Sequence, residues 1–383
     1  MKQYSKLYKD ELLNQVIPFW EKFSLDKING GYFTCITESG EVFDTDKFVW
    51  LQARQVWMFS KLYKDNFANE NWKQIAIHGA DFLEKYGRDQ QDDWYFSLTK
   101  NGTPLVEAYN IFSDCFASMA FGALYKIQPE KKYAEIAKST FNNILKRQHN
   151  PKGKYNKRSA NGRVLQNFAL PMILCNLSSE LEHLLEVKKV NEVTDSVINL
   201  IMEKFYHKES GLVLENISKK GGFVDSFEGR LINPGHAIEA MWFVMNQGFL
   251  KNDQALIEKA EKIMFDQLEN GWDKEYGGIF YFMDFKGNPT EQLEWDQKLW
   301  WVHLETLVAL AKSYQYNKSP RAKEWFEKVH NYTWNHFRDE KNGGEWYGYL
   351  NRKGEVSLHL KGGKWKGCFH VPRALLEISK TLE

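Results

Sequence analysis

Four segments of the sequence put histidine, arginine or glutamate at the start of an apolar stretch with helical periodicity. These residues are His236 and Glu239 in "GRLINPGHAIEAMWF", His303 and Glu305 in "KLWWVHLETL", His370 and Arg373 in "KGCFHVPRALL", and Arg54 in "FVWLQARQVW". His236 and Glu239 are three residues apart, so they would share one face of a helix. His370 and Arg373 have the same spacing. These helix starts therefore carry side chains that could act together in a pocket.

Two imidazoles that face each other across a pocket would suit proton transfer at a carbon atom. Near neutral pH an imidazole can act as base or as acid. One would take a proton beside a carbonyl, and the other would return it on the opposite face and so invert the carbon. Nearby arginines would stabilise the enediolate oxygen. His236 and His370 are thus candidate acid/base residues, the alternative being histidines that only satisfy helix starts.

Other chemistries lack their signatures in this sequence. HxH, HExxH, GxSxG, GxxxxGK[ST] and GxGxxG are absent, so a local metal site, a serine triad and nucleotide cradles are not indicated. We predict no metal, although assembly from distant residues stays open. Carboxylates for glycoside hydrolysis could come from Asp225, Glu228, Glu294 and Asp296. Two pocket imidazoles would be unusual for that reaction.

The elements that must position these residues recur roughly every 60 to 65 residues. Six segments each read as strand, glycine-bearing turn and strand, the signature of a β-hairpin. They are "NGGYFTCITESGEVF" from Asn29, "DDWYFSLTKNGTPLV" from Asp92, "PKGKYNKRSANGRVL" from Pro151, "SGLVLENISKKGGFV" from Ser210, "YGGIFYFMDFKGNPT" from Tyr276 and "NGGEWYGYLNRKGEV" from Asn342.

An apolar helix follows each hairpin, and a more charged, amphipathic helix follows the apolar one. Six buried helices inside six amphipathic helices pack best as a ring. The sequence therefore predicts an all-α fold, an (α/α)6 toroid with short β-hairpins beside the inner-helix N-termini, as one domain over residues 1–383. The free N–H groups of those N-termini would surround one pocket. A linear solenoid of helix pairs is the alternative.

The remaining histidines that we assign are placed away from this pocket. His78, His330 and His336 fall on outer helices, His149 and His207 follow outer helices, and His183 is predicted well along an inner helix. We expect solvated or packing roles for them.

Composition narrows the function class. The net charge is +1, so there is no basic face for nucleic acid. No run of about 18 apolar residues predicts a membrane helix, and the acid-bearing N-terminus is unlike a signal peptide. Four distant cysteines predict free thiols in a reducing cytoplasm. Aromatic residues make up 15% of the chain, including 14 Trp, which is a mild indication of a carbohydrate pocket.

Several segments resemble motifs of the N-acylglucosamine 2-epimerase family. They are "DKFVWLQARQVWMFSKLY", "INPGHAIEAMWF", "LEWDQKLWWVHLETLVAL" and "GGEWYGYLNRKGEVSLHLKGGKWKGCFHVPRALL". They span nearly the whole chain, and the family's (α/α)6 barrel agrees with the repeat. The resemblance implies interconversion of N-acetylglucosamine and N-acetylmannosamine by deprotonation and reprotonation at carbon 2 of the open-chain sugar.

Residue roles carry over from these motifs as expectations. The resemblance implies acid/base roles for His236 and His370, without saying which face each serves. It also implies substrate-binding or polarising roles, and the residues concerned are Arg54, Glu239, Glu305 and Arg373. Glu239 or Glu305 would orient an imidazole or bind hydroxyls. Trp301, with Trp300, would line the pocket or pack in the core, and His303 is expected to be a structural neighbour.

The wider superfamily leaves alternatives open. Cellobiose or mannose 2-epimerases and aldose–ketose isomerases tend to carry a further pocket histidine on the third inner helix. Here that segment reads "NFALPMILCNLSSEL", which favours the N-acyl branch. Mammalian relatives were described as renin-binding proteins, so a non-catalytic binding role is a third interpretation.

The resemblance also bears on effectors and assembly. Family members need no cofactor for the chemistry but often use ATP as an activator, and dimerisation is implied. The loop "NPKGKYNKRSANGR" could hold phosphates, or could be ordinary solvated surface. Its basic residues are Lys152, Lys154, Lys157, Arg158 and Arg163.

Overall fold

In the computed structural model, the residues described are 1–67, 69–157 and 162–383. Inner helices alternate with outer helices along the chain. The helices are α1 (Lys2–Glu11), α2 (Ile17–Phe23), α3 (Val49–Leu62), α4 (Glu70–Tyr86), α5 (Ile111–Ile127), α6 (Lys131–Arg147), α7 (Ala169–Glu180), α8 (Val187–Asn199), α9 (Phe227–Arg230), α10 (Pro234–Leu250), α11 (Gln254–Gly271), α12 (Trp300–Asn317), α13 (Pro320–Phe337) and α14 (His370–Thr381). π-helical turns at Leu12–Val16, Tyr63–Phe67 and Leu200–Phe205 extend α1, α3 and α8, and Gly153–Tyr155 is a 3₁₀ turn.

The inner helices α3, α5, α7, α10, α12 and α14 pack side by side in that order. The ring closes where α14 meets α3: the rings of Trp57 and Phe369 are 5.3 Å apart, and Lys380 Nζ is 2.8 Å from Asp65 Oδ2. Outer helices cover the inner ones, and α1 with the π-helical turn Leu12–Val16 covers α14, where Ser5 Oγ donates to the Ser379 carbonyl. The predicted (α/α)6 toroid is confirmed, and the N-terminal helices supply its sixth outer position.

Burial separates the two layers as the sequence pattern predicts. In α5, 13 of 17 residues are buried, because this helix contacts ring neighbours on both sides and the outer layer behind it. Small residues let the helices approach closely: a Cβ added at Gly122 would lie 2.3 Å from Leu181 Cδ2.

The prediction that His183 lies well along an inner helix is wrong, because α7 ends at Glu180. His183 lies in the turn after α7, with Nε2 3.0 Å from the Gly122 carbonyl oxygen.

Each inner helix, with the strands before it and the outer helix that covers it, forms one unit of the ring. Short strands join neighbouring units at the end of the ring where the inner helices begin. They are β1 (Cys35–Ile36), β2 (Val42–Asp44), β3 (Lys47–Phe48), β4 (Ser97–Leu98), β5 (Pro104–Val106), β6 (Leu165–Asn167), β7 (Tyr206–His207), β8 (Leu212–Val213), β9 (Asn216–Ser218), β10 (Leu231–Ile232), β11 (Met283–Asp284), β12 (Lys298–Leu299) and β13 (Tyr349–Leu350). Among the described residues, two predicted hairpins form as strand pairs within their own segments, β1–β2 and β4–β5, and in the sixth segment a single antiparallel bridge joins Leu350 to Val356. Residues 158–161 of the third predicted hairpin lie outside the described residues.

The other predicted hairpin strands pair differently. The strand before an inner helix pairs with a strand of the next unit in β3–β4, β6–β9, β10–β11 and β12–β13, all antiparallel. β7 pairs with β8. A single bridge between Thr37 and Leu360 connects the last unit to the first. The strands therefore link one unit to the next, a contact between units that local turn signals do not reveal.

Three buried lysine–aspartate pairs repeat around the ring. The Nζ–Oδ2 distances are 2.8 Å for Lys47–Asp26, 3.0 Å for Lys298–Asp273 and 2.7 Å for Lys361–Asp339. Asp26 Oδ1 also accepts the backbone N–H groups of Ile28 and Asn29, which fixes the turn that carries Gly30 and Gly31. Both glycines have positive φ, a conformation that favours glycine.

Replacing one of these lysines tests how much the pairs stabilise the ring. Lys47 is fully buried and Asp26 is 2% exposed. We expect Lys47→Met to lower the free energy of unfolding by about 3–5 kcal/mol, because it leaves a buried carboxylate without its cation. Urea unfolding followed by circular dichroism measures this. Lys6→Met, which breaks an exposed pair with Asp10, should change little. A loss for Lys47→Met no larger than that of this control would contradict the expectation.

Two further sequence predictions concern the whole chain. All four cysteines are buried and free of disulfides, as predicted. Among the described residues, no helix combines the length and the apolar character needed to cross a membrane.

Candidate active site

A cavity of about 520 Å³ opens at the end of the ring where the inner helices begin. Each inner helix contributes at least one residue near its first turns. These residues are Arg54 from α3, Asn110 at the start of α5, Ala169 from α7, His236 from α10, Trp301 from α12 and His370 from α14. Inner-helix N-termini therefore surround one pocket, as the toroid requires.

His370 is the first residue of α14 and is 8% exposed. Its Nδ1 lies 2.8 Å from Glu305 Oε1 and donates to that carboxylate, which leaves Nε2 as the nitrogen that can face the cavity. Burial holds the pKa of His370 well below its ordinary value, and the positive charges of Arg54 and Arg373 lower it further. The ring is therefore neutral near pH 7 and able to accept a proton.

Glu305 is fully buried below His370. Its Oε1 also accepts from Arg373 Nη2 at 2.6 Å, and its Oε2 accepts from Trp242 Nε1 at 3.0 Å. Arg373 Nη2 lies 2.5 Å from Glu239 Oε1 as well. Glu239 and Arg373 line the cavity. Glu305 is thus placed to hold the His370 ring, and of these charged groups Glu239 and Arg373 are the ones that line the cavity.

Glu239, Glu305 and His370 bring potential metal ligands within 4.8 Å of one another. The Arg373 guanidinium already bridges the two carboxylates. A cation bound there would have to compete with a fixed positive charge, so this donor set fits an orienting network rather than a metal site.

His236 lies in the first turn of α10, where Asn233 Oδ1 accepts its backbone N–H at 3.1 Å. Its Nδ1 is 3.1 Å from both carboxylate oxygens of Glu215. Burial lowers the pKa of His236, but the charge of Glu215, its hydrogen bond to the ring and the charge of Glu239 together outweigh burial, so the pKa is raised. His236 therefore holds a proton more readily than His370.

Glu215 was not predicted from the sequence. Asn167 Nδ2 donates to its Oε1 at 3.2 Å, and the backbone N–H of Phe168 donates to its carbonyl oxygen. It precedes β9, which pairs with β6 of the neighbouring unit. A lone acid inside the apolar run "GLVLENI" was the signal available. Of the two carboxylates predicted to orient an imidazole, Glu305 contacts His370, whereas the carboxylate beside His236 is Glu215.

Removing the Glu215 charge tests this pairing. We expect Glu215→Gln to lower the pKa of His236, because the carboxylate that raises it is gone, and to reduce turnover by about an order of magnitude. Titration of ¹⁵N-labelled imidazoles by NMR measures the pKa. Glu209→Gln, at an exposed position, is the control. An unchanged His236 pKa in Glu215→Gln would contradict the pairing.

Trp301 lies beside both imidazoles. Its ring centroid is 5.2 Å from that of His236 and 5.9 Å from that of His370. The structure thus brings two histidines that are far apart in the sequence next to one indole that lines the cavity. Trp301 is 8% exposed, so it combines the packing and pocket-lining roles considered from the sequence.

Arg54 provides a positive charge without an acidic partner among the described residues. Its guanidinium carbon lies 4.3 Å, 3.9 Å and 4.5 Å from the ring centroids of Trp50, Phe116 and Phe369. Its Nε has no hydrogen-bond partner there. Burial, with the charge of Arg373, lowers the pKa of Arg54 to about 9. A desolvated cation that has no ion-pair partner among the described residues and lies at a cavity wall is well suited to stabilise an anion.

The other residues considered from the sequence have different positions relative to the cavity. His303 is buried, with Nδ1 donating to the Leu299 carbonyl and Nε2 accepting the backbone N–H of Ile279, so it is the structural neighbour that we expected. Burial lowers its pKa to about 3. Of the carboxylates considered for glycoside hydrolysis, Glu294 lines the cavity, whereas Asp225 pairs with Arg230 and Lys286.

The described lysines of the basic loop are not among the residues that line the cavity. These lysines are exposed, and they are Lys152, Lys154 and Lys157. Lys154 Nζ is 5.1 Å from the ring centroid of Tyr155, whose hydroxyl donates to Glu107. Arg158 lies outside the described residues. The described lysines of this segment do not converge on a cavity that the structure shows.

Comparison with known proteins decides the family. The sequence model of the family described as N-acylglucosamine 2-epimerase (GlcNAc 2-epimerase) matches residues 31–374. The chain belongs to this family. The N-acylglucosamine 2-epimerase of Mus musculus is 37% identical over 381 residues, which cover 97% of this chain and 90% of the mouse protein.

Solved structures agree on the fold of this epimerase-family chain. Cellobiose 2-epimerase from Bacillus thermoamylovorans B4167 has a TM-score of 0.84 at 22% identity, covering 99% of this chain and all of that one. A D-mannose isomerase has a TM-score of 0.84 at 18% identity, with 98% of both chains covered. At such identities the likeness establishes the (α/α)6 fold.

Proposed function

We propose that this protein is an N-acyl-D-glucosamine 2-epimerase that interconverts N-acetylglucosamine and N-acetylmannosamine. The observation that carries the proposal is the pair of imidazoles beside Trp301, each with Nδ1 held by a carboxylate and Nε2 left for the cavity. Membership of the epimerase family and the identity to the mouse enzyme support the choice of substrate.

The proposed reaction needs only the chain's own groups. The sugar binds in its open form, with carbon 2 between the two rings. Neutral His370 takes the carbon-2 proton through Nε2 and becomes an imidazolium, while the electron pair moves onto the oxygen of carbon 1. Because carbon 2 carries nitrogen rather than oxygen, the anion that forms is an enolate. His236 then delivers its proton to the opposite face, and the reverse reaction exchanges the two roles.

Surrounding residues assist this transfer in the proposal. Arg54 stabilises the enolate oxygen, since its charge has no acidic partner among the described residues. Glu239 and Arg373 bind sugar hydroxyls, and Trp301 packs against the carbon chain between the two imidazoles. Glu305 and Glu215 hold the imidazoles in the correct tautomer rather than touching the sugar.

The proposal is tested by incubating the protein with N-acetylmannosamine in deuterium oxide, with and without ATP, and recording proton NMR spectra. We expect N-acetylglucosamine that carries deuterium at carbon 2, and no ketose. Folded protein that turns over N-acetylmannosamine in neither condition would contradict the assignment. A ketose formed from mannose, without turnover of N-acetylmannosamine, would favour the aldose–ketose isomerase alternative.

The cavity wall favours an N-acyl sugar over that alternative. The residues of α7 that line the cavity are Ala169, Met172, Ile173, Asn176 and Leu177. Cellobiose epimerases and aldose–ketose isomerases would be expected to present a histidine there, and this wall is mostly apolar.

Assembly and regulation remain part of the proposal. We infer that residues 1–383 act as one domain in a cytoplasmic homodimer, with ATP as an activator rather than a reactant. Free cysteines support a reducing compartment. The exposed Lys152, Lys154 and Lys157 are the candidate phosphate contacts. Loss of ATP activation in a triple lysine-to-alanine variant, with basal turnover kept, is the expected result.

A further inference from the structure

One wall of the catalytic cavity is chemically different from the rest. The lining residues of α5 and α7 are Phe112, Cys115, Phe116, Met119, Ala169, Met172, Ile173, Asn176 and Leu177. All are apolar or weakly polar except Asn176. The arginine, histidine and glutamate lining groups lie on α3, α10 and α14, with Glu294 in the segment before β12, and two Trp residues line the cavity at the start of α12.

We propose that this α5–α7 wall is the subsite for the acylamino group of the sugar, with Asn176 pairing with the amide and the methionines contacting the acyl carbons. The inference deepens the proposed epimerase function and rests on it. In the ring order, α5 and α7 lie across from α12 and α14, which carry Trp301 and His370.

Substrate geometry points to this wall. During proton transfer, carbons 1 and 2 and their oxygen and nitrogen substituents lie in one plane, with an imidazole above and below it. Both imidazole centroids lie within 5.9 Å of the Trp301 ring, so at least one in-plane substituent of carbon 2 extends away from the indole. The direction away from the indole meets α5 and α7. A bulky substituent on carbon 2 has room to extend there within a cavity of about 520 Å³.

The side-chain N–H groups of Asn176 have no strong hydrogen-bond acceptor among the described residues. In the part of the chain that the structure describes, its Nδ2 lies 3.9 Å from the Met119 thioether, which is a weak acceptor. A side-chain amide offers both a donor and an acceptor, so it matches the C=O and N–H of an acylamino group. A hydroxyl at the same carbon could satisfy only part of that capacity, which makes Asn176 a specificity element for amides.

The flanking residues set the length of the acyl chain that fits. Met119 and Met172 are each 2% exposed, and Ile173 is half-buried. Methionine side chains adapt their shape at low cost, so this wall should accept an acetyl group and tolerate slightly longer acyl groups. Shortening Met172 would open additional space beside the acyl carbons.

The experiment measures kcat/KM for N-acetylmannosamine and N-butanoylmannosamine. We expect Met172→Ala to raise the butanoyl-to-acetyl ratio of kcat/KM by about tenfold or more, since each methylene in an apolar pocket is worth about tenfold. We expect Asn176→Leu to lower kcat/KM for both substrates by about tenfold. Met245→Ala is the matched control, because Met245 is buried in α10 and does not line the cavity.

The outcomes separate the two proposals. A butanoyl-to-acetyl ratio in Met172→Ala equal to that of Met245→Ala, with wild-type protein active on N-acetylmannosamine, would overturn the acyl subsite alone. Wild-type protein that exchanges the carbon-2 proton of neither acyl sugar would overturn the epimerase function and the subsite with it. Ile173→Ala gives a second, independent change of the same wall if Asn176→Leu is poorly folded.

Discussion

His370→Asn should reduce epimerisation of N-acetylmannosamine by about a thousandfold or more. Asparagine preserves a hydrogen bond to Glu305 but cannot accept a proton, so the neutral base of the resting enzyme is lost. General acid–base catalysis contributes about 10²- to 10⁴-fold, and here the same residue serves both directions of the reaction. Initial rates of N-acetylglucosamine formation, measured by NMR or by coupled chromatography, provide the test.

His149→Asn is the control that distinguishes a loss of catalysis from a loss of folding. His149→Asn changes an exposed residue after α6 and should leave turnover unchanged. Circular dichroism of His370→Asn should match the wild-type spectrum, because the side chain removed makes one polar contact, with Glu305. Wild-type turnover in His370→Asn would contradict its role as base.

Arg54→Met should lower kcat by about 10²- to 10³-fold, the usual cost of removing a donor that stabilises an oxyanion. Its guanidinium lies among three aromatic rings, so methionine can occupy the apolar part of that space. Steady-state kinetics with N-acetylmannosamine measure kcat and KM separately. Arg321→Met, which removes an exposed arginine paired with Glu269, is the control. A higher KM with unchanged kcat would instead indicate a ground-state binding role.

The pH profile adds a second readout to this variant. The positive charge of Arg54 helps to lower the pKa of His370, so removing that charge raises it. A base with a raised pKa is protonated, and therefore inactive, up to a higher pH. The acid limb of kcat/KM should accordingly move to higher pH in Arg54→Met. Arg54→Lys keeps the charge, so its acid limb should stay near that of the wild type while kcat falls.

Local patterns were sufficient to predict the ring and the position of its pocket. Helical periodicity identified the inner helices, and the location of polar residues at their starts identified His236, His370 and Arg54. This works because the inner helices of the ring are parallel, so residues at the same position along each helix lie at the same level of the ring. A residue at the first turn necessarily faces the same end as the first turns of the other inner helices.

The contacts between units could not be predicted in the same way. Glu215 reaches His236 because β9 pairs with β6 of the preceding unit, and that pairing depends on how the units pack. The same reason explains why strands of the predicted hairpin segments also pair with strands of neighbouring units. Likewise, no sequence pattern indicates that Arg373 bridges Glu239 and Glu305, because the three residues come from three different helices.

Exchange of the carbon-2 proton in His236→Asn and His370→Asn tests the central claim, that the two imidazoles act on opposite faces of one carbon. With both acyl sugars followed separately in deuterium oxide by NMR, each variant should lose net epimerisation. Each should still exchange the carbon-2 proton of one epimer, and the epimer should differ between the two variants. Exchange of the same epimer by both variants, or undiminished epimerisation by either, would contradict the account.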